Sequence, residues 1–304
     1  MNYKIACVIV TYNRKTLLKK CLDAINAQKL KPHTVYIVDN ASTDGTKDSV
    51  IEWGYYNIHI NDIQFKYLLL QRNTGGAGGF YNGMKTAYDS EVQFDGIWVM
   101  DDDGIPAPNC LENLLKYMPQ YHQVGPMVLS IEDDHRLAFN NHGSFSVQEL
   151  LNKGELIEGY MCPFNAILYS RELIKKVGFP MPELFIWGDE TNYTMRCRNA
   201  GYNCHTITSA IHHHPADRMK VDKTIFGRNV VEVPNKWKGY CYWRNTIYNH
   251  HKEMSFRSLI RFYFYNGYYV LAKYKSWSWF KCFNKAFLSG FKKTPDSGYK
   301  QYIK

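Results

Sequence analysis

The sequence lacks the marks of a secreted or membrane-spanning protein. No run of about 18 uncharged apolar residues occurs in the 304-residue chain. Its start, MNYK followed by IACVIVTYN, has neither the basic region nor the cleavage site of a signal peptide. The eight cysteines form no CxxC pair and no zinc-type spacing. We therefore expect a cytoplasmic protein with reduced, mostly buried thiols.

The two common phosphate-binding loops are also missing. No GxxxxGK[ST] loop occurs, and the most glycine-rich stretch, RNTGGAGGF at residues 72–80, does not fit the dinucleotide fingerprint GxGxxG. NAD-type and ATP-type functions lose their main support. The glycines of this stretch instead predict a backbone that passes close to a ligand or exposes amides to an anion.

Acidic residues are scarce in the C-terminal part. Residues 236–304 contain 14 Lys and Arg but only two acids, Glu253 and Asp296, while the whole chain carries +9. Three uses of this segment are open: contact with an anionic membrane, burial of its aromatic residues in a helical subdomain or a homo-oligomer contact, and nucleic-acid binding. Packing together with peripheral membrane contact is favoured, because no nucleic-acid motif of recognised spacing occurs. The aromatic residues of this segment include Trp237, Tyr240, Trp243, Phe262, Phe264, Tyr268, Tyr269, Trp277, Trp279 and Phe280.

The first 120 residues alternate between strand-like and helix-like segments. KIACVIVTYNR, TVYIVDNASTDGT, FKYLLLQRN and FDGIWVMDDD have the apolar, β-branched character of buried strands, and the segments between them have helical periodicity. This alternation predicts an α/β fold with a mostly parallel, Rossmann-like sheet flanked by helices. We expect one domain over residues 1–232 and a helical, basic and aromatic segment over 233–304.

Polar segments follow the strands at their carboxyl ends, where open α/β sheets bind ligands. The most telling is WVMDDDG, in which Asp101, Asp102 and Asp103 repel one another unless a positive charge lies between them. A hard divalent cation such as Mn²⁺ or Mg²⁺ would remove that repulsion, with Asp101 and Asp103 as the better pair of ligands. The alternative is a solvated acidic turn.

Six motifs, in order, resemble the family 2 inverting glycosyltransferases, enzymes of the GT-A fold that use nucleotide-sugar donors. The motifs are VIVTYNR, VDNASTDGT, QRNTGGAGGF, VMDDDG, FIWGDETNYTMRCRNAGY and IHHHP. The resemblance covers about residues 4–215, and its specificity lies in the order and spacing of the six motifs together.

The resemblance implies a metal site and a catalytic base. Asp101 and Asp103 would hold Mn²⁺ or Mg²⁺ on the donor diphosphate, with His214, thirteen residues after the glycine of AGY, as third ligand. His212 shares the face of His214 in a strand and could replace it. The base would be Glu190, six residues before an arginine, with Asp189 next in line; both acids would also suit a helix N-terminus.

The resemblance also implies contacts with the donor. Nucleotide-sugar contacts would come from Thr11, Asn13, Asp39, Arg72, Asn73 and Asp102. Asp39 has an alternative role in an Asx turn. The vicinity of the donor and acceptor sugars would contain Gly76, Trp187 and Arg244.

Within this family, the NTGGAGGF, WGDE and YWRN segments are most similar to galactofuranosyltransferases, with dTDP-rhamnose-using rhamnosyltransferases as near neighbours. The expected activity is transfer of galactofuranose from UDP-galactofuranose to a glycan or lipid-linked glycan in bacterial polysaccharide synthesis, such as capsule or O-antigen assembly. The expected location is the cytoplasm, either free or peripherally bound to the inner face of the cytoplasmic membrane. Two other classes stay open: a sugar nucleotidyltransferase, disfavoured because TYNRKTL has no glycine, and a non-catalytic carbohydrate-binding protein.

Overall fold

The computed structural model describes residues 3–139, 145–216 and 220–303. Its described residues pack into two compact units. The first consists of residues 1–180 and 193–217, and the second of residues 181–192 and 218–304. The predicted boundary at residue 232, between a catalytic domain and a C-terminal segment, stays a prediction.

The first unit alternates strands and helices along the chain, as the sequence predicts. Its elements are β1 (Ile5–Thr11), α1 (Lys15–Asn26), β2 (Thr34–Asp39), α2 (Thr46–Glu52), β3 (His59–Ile60), β4 (Ile63–Leu69), α3 (Gly75–Tyr88), β5 (Gly96–Asp101), β6 (Ile105–Pro106), α4 (Cys110–Tyr121), β7 (Gln123–Ser130), α5 (Val147–Asn152), β8 (Leu156–Glu158), β9 (Asn165–Ser170), α6 (Arg171–Val177), α7 (Asp189–Asn199) and β10 (His205–His214). Helix α7 begins in the second unit, and its residues from Tyr193 onward belong to the first.

The strands form one sheet in the order β3-β4-β2-β1-β5-β9-β7-β10-β6, with β8 also paired to β10. Strands β4, β2, β1 and β5 are parallel, as expected, whereas β9 runs antiparallel to both β5 and β7, so the sheet is mixed beyond β5. In the parallel part Thr11 lies opposite Asp39, and Val10 opposite Asp101. The predicted polar segments after β1, β2 and β5 therefore meet at one edge.

The glycine-rich stretch is the start of a helix. Helix α3 begins at Gly75, and its close approach is to the sheet beneath it. A Cβ atom at Gly79 would lie 2.4 Å from Val10 Cγ1, and one at Gly83 would lie 2.4 Å from Val8 Cγ1. Because real side chains do not approach so closely, glycine at these two positions is what lets α3 pack onto β1.

The second unit is helical, which confirms the predicted character of the C-terminal segment. It contains a 3₁₀ turn (Pro182–Leu184), β11 (Val221–Lys223), β12 (Asn229–Val231), α8 (Lys236–His250), α9 (Phe256–Tyr274), α10 (Trp277–Ser289) and a 3₁₀ turn (Gly298–Tyr302). Many of the aromatic residues form its core: Tyr240, Trp243 and Tyr269 are buried, whereas Phe264 and Trp277 are exposed. Among the described helices, none is both long and apolar enough to cross a membrane.

Candidate active site

The loops after β1 and β5 are joined by a buried hydrogen bond. Thr11 Oγ1 donates to Asp102 Oδ2 at 2.7 Å, and both residues are buried. Thr11 and Asp102, two of the six residues expected to contact the nucleotide sugar, are therefore hydrogen-bonded to each other. Burial raises the pKa of Asp102 to about 6, with repulsion from Asp103 adding to it and the attraction of Arg14 opposing it.

A positive charge that the sequence-based assignment omits lies beside the acidic triplet. Arg14 Nη1 is 3.2 Å from Asp102 Oδ1 and 3.1 Å from Asp103 Oδ2, so one guanidinium bridges two carboxylates. Burial alone would lower the pKa of Arg14, but the three carboxylates outweigh that effect and the pKa is raised. The sequence does contain a signal for it: Arg14 ends the polar TYNR segment after β1, and β1 is the neighbour of the strand that ends in the triplet.

Asp103 also faces His214, as a shared metal site requires. His214 Nε2 lies 3.1 Å from Asp103 Oδ1, and both side chains are buried. His214 Nδ1 is 2.8 Å from the carbonyl oxygen of Pro215, which can only accept, so Nδ1 carries a proton. Nε2 then faces the carboxylate either as a second N–H donor or as a lone pair that needs a cation between the two groups.

The donor pair fits a hard divalent cation. Two adjacent ligands of an octahedral ion, each about 2.1 Å from the metal, are about 3.0 Å apart, which is close to the separation of Asp103 and His214. The proton on Nδ1, held by a carbonyl, is the usual outer contact of a metal-bound histidine. Within the described ranges, however, no three His, Cys, Asp or Glu side chains converge as a complete metal site. Two protein ligands with phosphate oxygens and water are a common arrangement for such ions.

His212 shares the buried face of β10 with His214, as the alternation predicts, but its surroundings differ. Within the part of the chain that the structure describes, neither ring nitrogen of His212 has a hydrogen-bond partner. Burial, followed by the nearby charge of His214, lowers the pKa of His212 to about 3, so the ring is neutral. A Cβ atom at Gly104 would lie 2.2 Å from its Nε2, so glycine after the triplet makes room for this ring.

Asp39 closes the turn after β2. Its Oδ1 accepts from the backbone N–H of Ser42, three residues further on, at 2.8 Å, and its Oδ2 accepts from the hydroxyl of Tyr67. An Asx turn would use the N–H two residues further on, so that alternative role of Asp39 stays a prediction. Asn13, with a left-handed φ of 54°, ties the β1 loop to the same turn, because its Oδ1 accepts from the N–H of Thr43 at 2.7 Å. The loops that carry the predicted nucleotide contacts are therefore cross-braced.

Asn40, which the sequence-based assignment also omits, connects β2 to the start of α3. Its Oδ1 accepts from Thr74 N–H at 2.8 Å, and its Nδ2 donates to the carbonyl of Gly75 at 2.9 Å and to Asn73 Oδ1 at 3.2 Å. Asn73 is thus engaged within the protein. Arg72 is exposed between β4 and α3, and Gly76 is partly exposed in the first turn of α3.

In the second unit, an unusual loop leads to the two candidate bases. Phe185, Trp187 and Gly188 have φ angles of 67°, 62° and 105°, a left-handed region that is costly for the two aromatic residues. Helix α7 begins next, with Asp189 buried and Glu190 partly exposed. The backbone N–H of Gly188 donates to Glu190 Oε2 at 3.1 Å, which fixes this carboxylate over the helix start.

Side chains of α8 hold this loop by its backbone. Asn245 Nδ2 lies within 3.0 Å of the carbonyl oxygens of Leu184, Ile186 and Trp187. Arg244 Nη2 donates to the carbonyl of Leu184 at 2.8 Å, and its Nε donates to Asn245 Oδ1 at 2.9 Å. Arg244 and Asn245 are fully buried. The YWRN segment therefore reaches the loop through main-chain carbonyls, and the predicted closeness of Arg244 to a sugar stays a prediction.

An α/β sheet with a polar carboxyl edge, an acidic triplet beside a histidine and a helical C-terminal part together define the class of GT-A glycosyltransferases. Residues 6–178 match glycosyl transferase family 2, and the chain belongs to this family. It is a glycosyltransferase.

The chain is 30% identical over 257 residues to the galactofuranosyltransferase GlfT1 of Mycolicibacterium smegmatis, covering 80% of this chain and 82% of that protein. Two solved structures share its fold at lower identity. S. aureus TarS 1-349 in complex with UDP-GlcNAc has a TM-score of 0.59 at 14% identity, covering 95% of this chain and 82% of the other. The mannosyltransferase PcManGT from Pyrobaculum calidifontis, in complex with GDP-Man and Mn²⁺, has a TM-score of 0.54 at 16% identity, covering 83% and 64%.

Proposed function

We propose that this protein is an inverting, metal-dependent galactofuranosyltransferase that uses UDP-galactofuranose. The observation that carries the proposal is the Asp103 and His214 pair at 3.1 Å on the ligand edge of the sheet. The donor sugar is proposed from the 30% identity to a protein named as a galactofuranosyltransferase. The acceptor would be a glycan or a lipid-linked glycan in bacterial polysaccharide synthesis.

The acidic edge would receive the donor. A divalent cation, when bound, would act as a Lewis acid that stabilises the negative charge on the departing diphosphate. Asp103 and His214 would hold it, with Asp101 as the further ligand proposed from the sequence. The described structure supports the first two through their mutual distance and burial. Mn²⁺ or Mg²⁺ suits these oxygen and imidazole donors.

The nucleoside would lie against the braced loops after β1, β2 and β4. We propose contacts from Thr11, Asn13, Asp39, Arg72 and Asn73. Arg72 is the exposed cation of this set, and the other four already make hydrogen bonds within the protein. Preorganised loops of this kind reduce the ordering that binding requires. Asp102 would act on the nucleotide through the Thr11 loop.

Glu190 would accept the proton of the acceptor hydroxyl as that oxygen attacks the anomeric carbon, with Asp189 as second choice. Attack opposite the leaving diphosphate inverts the anomeric configuration in one displacement. The Gly188 N–H at 3.1 Å orients the Glu190 carboxylate, and Glu190 is the more exposed of the two acids. Trp187, directly before this segment, would line the sugar site.

We further propose that the enzyme acts in the cytoplasm, in peripheral contact with an anionic membrane when its acceptor is lipid-linked. The basic charge of residues 236–304 supports this location, because cationic segments are attracted to anionic headgroups. Nucleic acid is not a proposed partner.

The test is nucleoside-diphosphate release from UDP-galactofuranose, UDP-galactopyranose, UDP-glucose and dTDP-rhamnose, with Mn²⁺ or with EDTA, in the presence of a mixed pool of glycan acceptors. We expect Mn²⁺-dependent release from UDP-galactofuranose. Asp103→Asn should lower kcat about 10³-fold, as loss of an electrostatic group at the reacting centre does. Glu190→Gln should lower it by about 10² to 10⁴-fold, as loss of a general base does.

Binding of Mn²⁺ distinguishes the proposed metal ligand, Asp103, from the proposed general base, Glu190. Measured by electron paramagnetic resonance in the presence of UDP, Mn²⁺ binding should be lost in Asp103→Asn and kept in Glu190→Gln. Asp62→Asn, an exposed acid in the turn between β3 and β4, is the matched control and should behave as wild type. Release from dTDP-rhamnose alone would reassign the donor, and full activity in EDTA would overturn the metal role.

A further inference from the structure

Helix α9 of the second unit has an exposed apolar stripe, formed by Phe256, Ile260, Phe264 and Leu271. Their side chains are 77%, 51%, 55% and 40% exposed. At 100° per residue these four positions fall within an arc of about 80°, so they form one line along the helix. Large apolar side chains rarely line up in water without a partner surface.

The apolar stripe borders the face that packs into the protein, and the buried Gly267, at about 20° from Phe256, lies within its arc. The buried residues of α9 are Asn266, Gly267, Tyr269 and Val270. Gly267 packs against the ring of Phe283 of α10, where a Cβ atom would lie 3.3 Å from Phe283 Cε1. The four large side chains of the apolar stripe nevertheless stay exposed after this unit has folded.

The turn between β11 and β12 extends the apolar stripe sideways. Ile225 and Phe226 lie at its tip and are 76% and 50% exposed. The ring of Phe226 lies 5.9 Å from that of Phe264 and 5.4 Å from that of Tyr268. Phe226 thus joins the turn and the helix into one exposed patch, which includes the kind of aromatic residues that favour the membrane interface.

Positive charge lines one side of this patch. Arg257 and Arg261 follow the apolar stripe around the helix at about 100° and 140° from Phe256, and both are exposed. Arg228 lies over the ring of Tyr265, at 6.0 Å from its centroid. The nearby acid Asp222 is engaged by the hydroxyl of Tyr269 at 2.6 Å and by Lys273 at 2.9 Å. The patch therefore presents apolar groups with a cationic border.

We propose that the apolar stripe and the β11–β12 tip insert into the headgroup region of an anionic lipid bilayer, with Arg257 and Arg261 bound to lipid phosphates. This deepens the proposed membrane contact by assigning it to a surface. A second copy of the chain is a poorer occupant, because a two-fold contact would bring the same arginines together across an apolar interface. A nucleic acid would leave six exposed apolar side chains without a partner.

The experiment measures sedimentation of the full chain with vesicles, without donor or acceptor. One set contains phosphatidylcholine alone and the other phosphatidylcholine with phosphatidylglycerol. We expect binding to the anionic vesicles that weakens as salt is raised. Arg257→Gln with Arg261→Gln should lower the partition coefficient roughly 30-fold, since each cation near an anionic surface contributes about fivefold. Phe256→Ser with Ile260→Ser and Phe264→Ser should lower it at least about tenfold.

Matched controls come from the first unit, where Lys20 and Lys29 are exposed cations and Leu69 and Leu151 are exposed apolar residues. Replacing the first two by Gln, or the last two by Ser, should leave vesicle binding unchanged. Light scattering and thermal melting of every variant show whether it is a folded monomer. Equal binding of variants and wild type would overturn the proposal, as would a dimer that only the stripe variant dissociates. Donor turnover, measured without vesicles, tests the proposed function independently.

Discussion

Two arginines, one in each unit, carry the same charge but bind different kinds of partner. Arg14 in the first unit keeps 46% of its side chain exposed and bridges the carboxylates of Asp102 and Asp103. Arg244 in the second unit is 0% exposed, and its Nη1 and Nη2 donate to backbone carbonyls of Glu183, Leu184 and Asp296. One arginine neutralises charge at the ligand edge, and the other fixes the path of a loop.

The difference lies in what can replace each arginine. A carboxylate can exchange a guanidinium for another cation, so the partners of Arg14 are available to a metal ion. Buried carbonyls have no such substitute, because they need N–H donors in a fixed geometry. In the first unit, the carboxylates beside Arg14 can therefore exchange the guanidinium for a metal ion. In the second unit, the carbonyls of the loop keep Arg244 as their donor.

Lysine at the two positions should show the largest contrast. Arg244→Lys keeps the charge but cannot supply the fork of donors, so buried carbonyls lose their partners and the free energy of unfolding should fall by about 3 kcal/mol. Arg14→Lys lies at a half-exposed site and should change it by less than about 0.5 kcal/mol. Urea denaturation followed by circular dichroism gives both values. Equal losses in the two variants would show that the contrast is wrong.

The loop itself is tested by Asn245→Ala. Three carbonyl oxygens within 3.0 Å of Asn245 Nδ2 would lose this donor, and the left-handed conformations of Phe185 and Trp187 would lose their support. We expect kcat to fall about 10²-fold while KM for the donor stays within about threefold, because the loop positions the proposed base and not the nucleotide.

Asn249→Ala is the graded control for this variant, since Asn249 Nδ2 donates to one carbonyl of the same segment, that of Gly188, at 2.7 Å, while its Oδ1 accepts from Asn192 Nδ2 at 3.0 Å. It should lose less activity than Asn245→Ala. Asn245→Asp should fail to rescue, because a carboxylate cannot donate to carbonyls. If KM for the donor rose in every variant by as much as kcat fell, the substitutions would have disordered the second unit as a whole and not the loop alone.

Arg14→Gln should act on metal binding rather than on folding. Arg14 binds Asp103 Oδ2, while His214 faces Asp103 Oδ1. Removing the guanidinium of Arg14 therefore frees one carboxylate oxygen and removes a positive charge that would repel the metal ion. We expect the Kd for Mn²⁺ to fall about tenfold at neutral pH, as measured by calorimetry in the presence of UDP. Lys15→Gln, at the next position, should leave it unchanged. An unaltered Kd in Arg14→Gln would mean that the arginine and the metal do not compete.

Much of the first unit could be predicted because its strands are short, apolar and closed by polar turns. β1, β2 and β5 appear where the pattern predicts them, and His212 and His214 share the buried face that alternation requires. The start of α3 at Gly75 could not be predicted, since four glycines in five residues indicate a loop by their low helix propensity. Packing of Gly79 and Gly83 against Val10 and Val8 explains why glycine is needed in this helix.

The site was predictable as a set of residue types and less so as a set of contacts. The repulsion within the triplet indicated a missing positive charge, but a metal ion and Arg14 both satisfy that condition, and sequence spacing alone does not choose between them. Asn40 and Asn245 were missed because several of their partners are backbone groups. A side chain that binds carbonyls leaves no complementary side chain elsewhere in the sequence to reveal it.

The smallest expected effect concerns the acid that lies beside the fixed arginine. Asp296 accepts from Lys292 Nζ at 2.7 Å, Tyr240 Oη at 2.9 Å and the N–H of Gly298 at 3.1 Å. Burial alone would raise the pKa of Asp296, but these hydrogen bonds outweigh it and hold the pKa well below its ordinary value. The ionised form is therefore the stabilising one.

A carboxyl group with a depressed folded-state pKa stabilises the fold above its unfolded pKa of about 3.9, and that stabilisation is lost as pH falls through the lower folded value. Asp296→Asn should thus be less stable than wild type at pH 6, and the gap should narrow steadily below pH about 4. Asp89→Asn in the first unit is the matched control, because Asp89 also pairs with a lysine four residues earlier but is 52% exposed. It should show almost no gap at either pH. Urea midpoints of the wild type and the two variants, measured from pH 6 to pH 3, give the comparison. If the difference in stability between Asp296→Asn and the wild type were constant with pH, the shape of the Asp296 side chain, and not its charge, would support the segment that Arg244 holds.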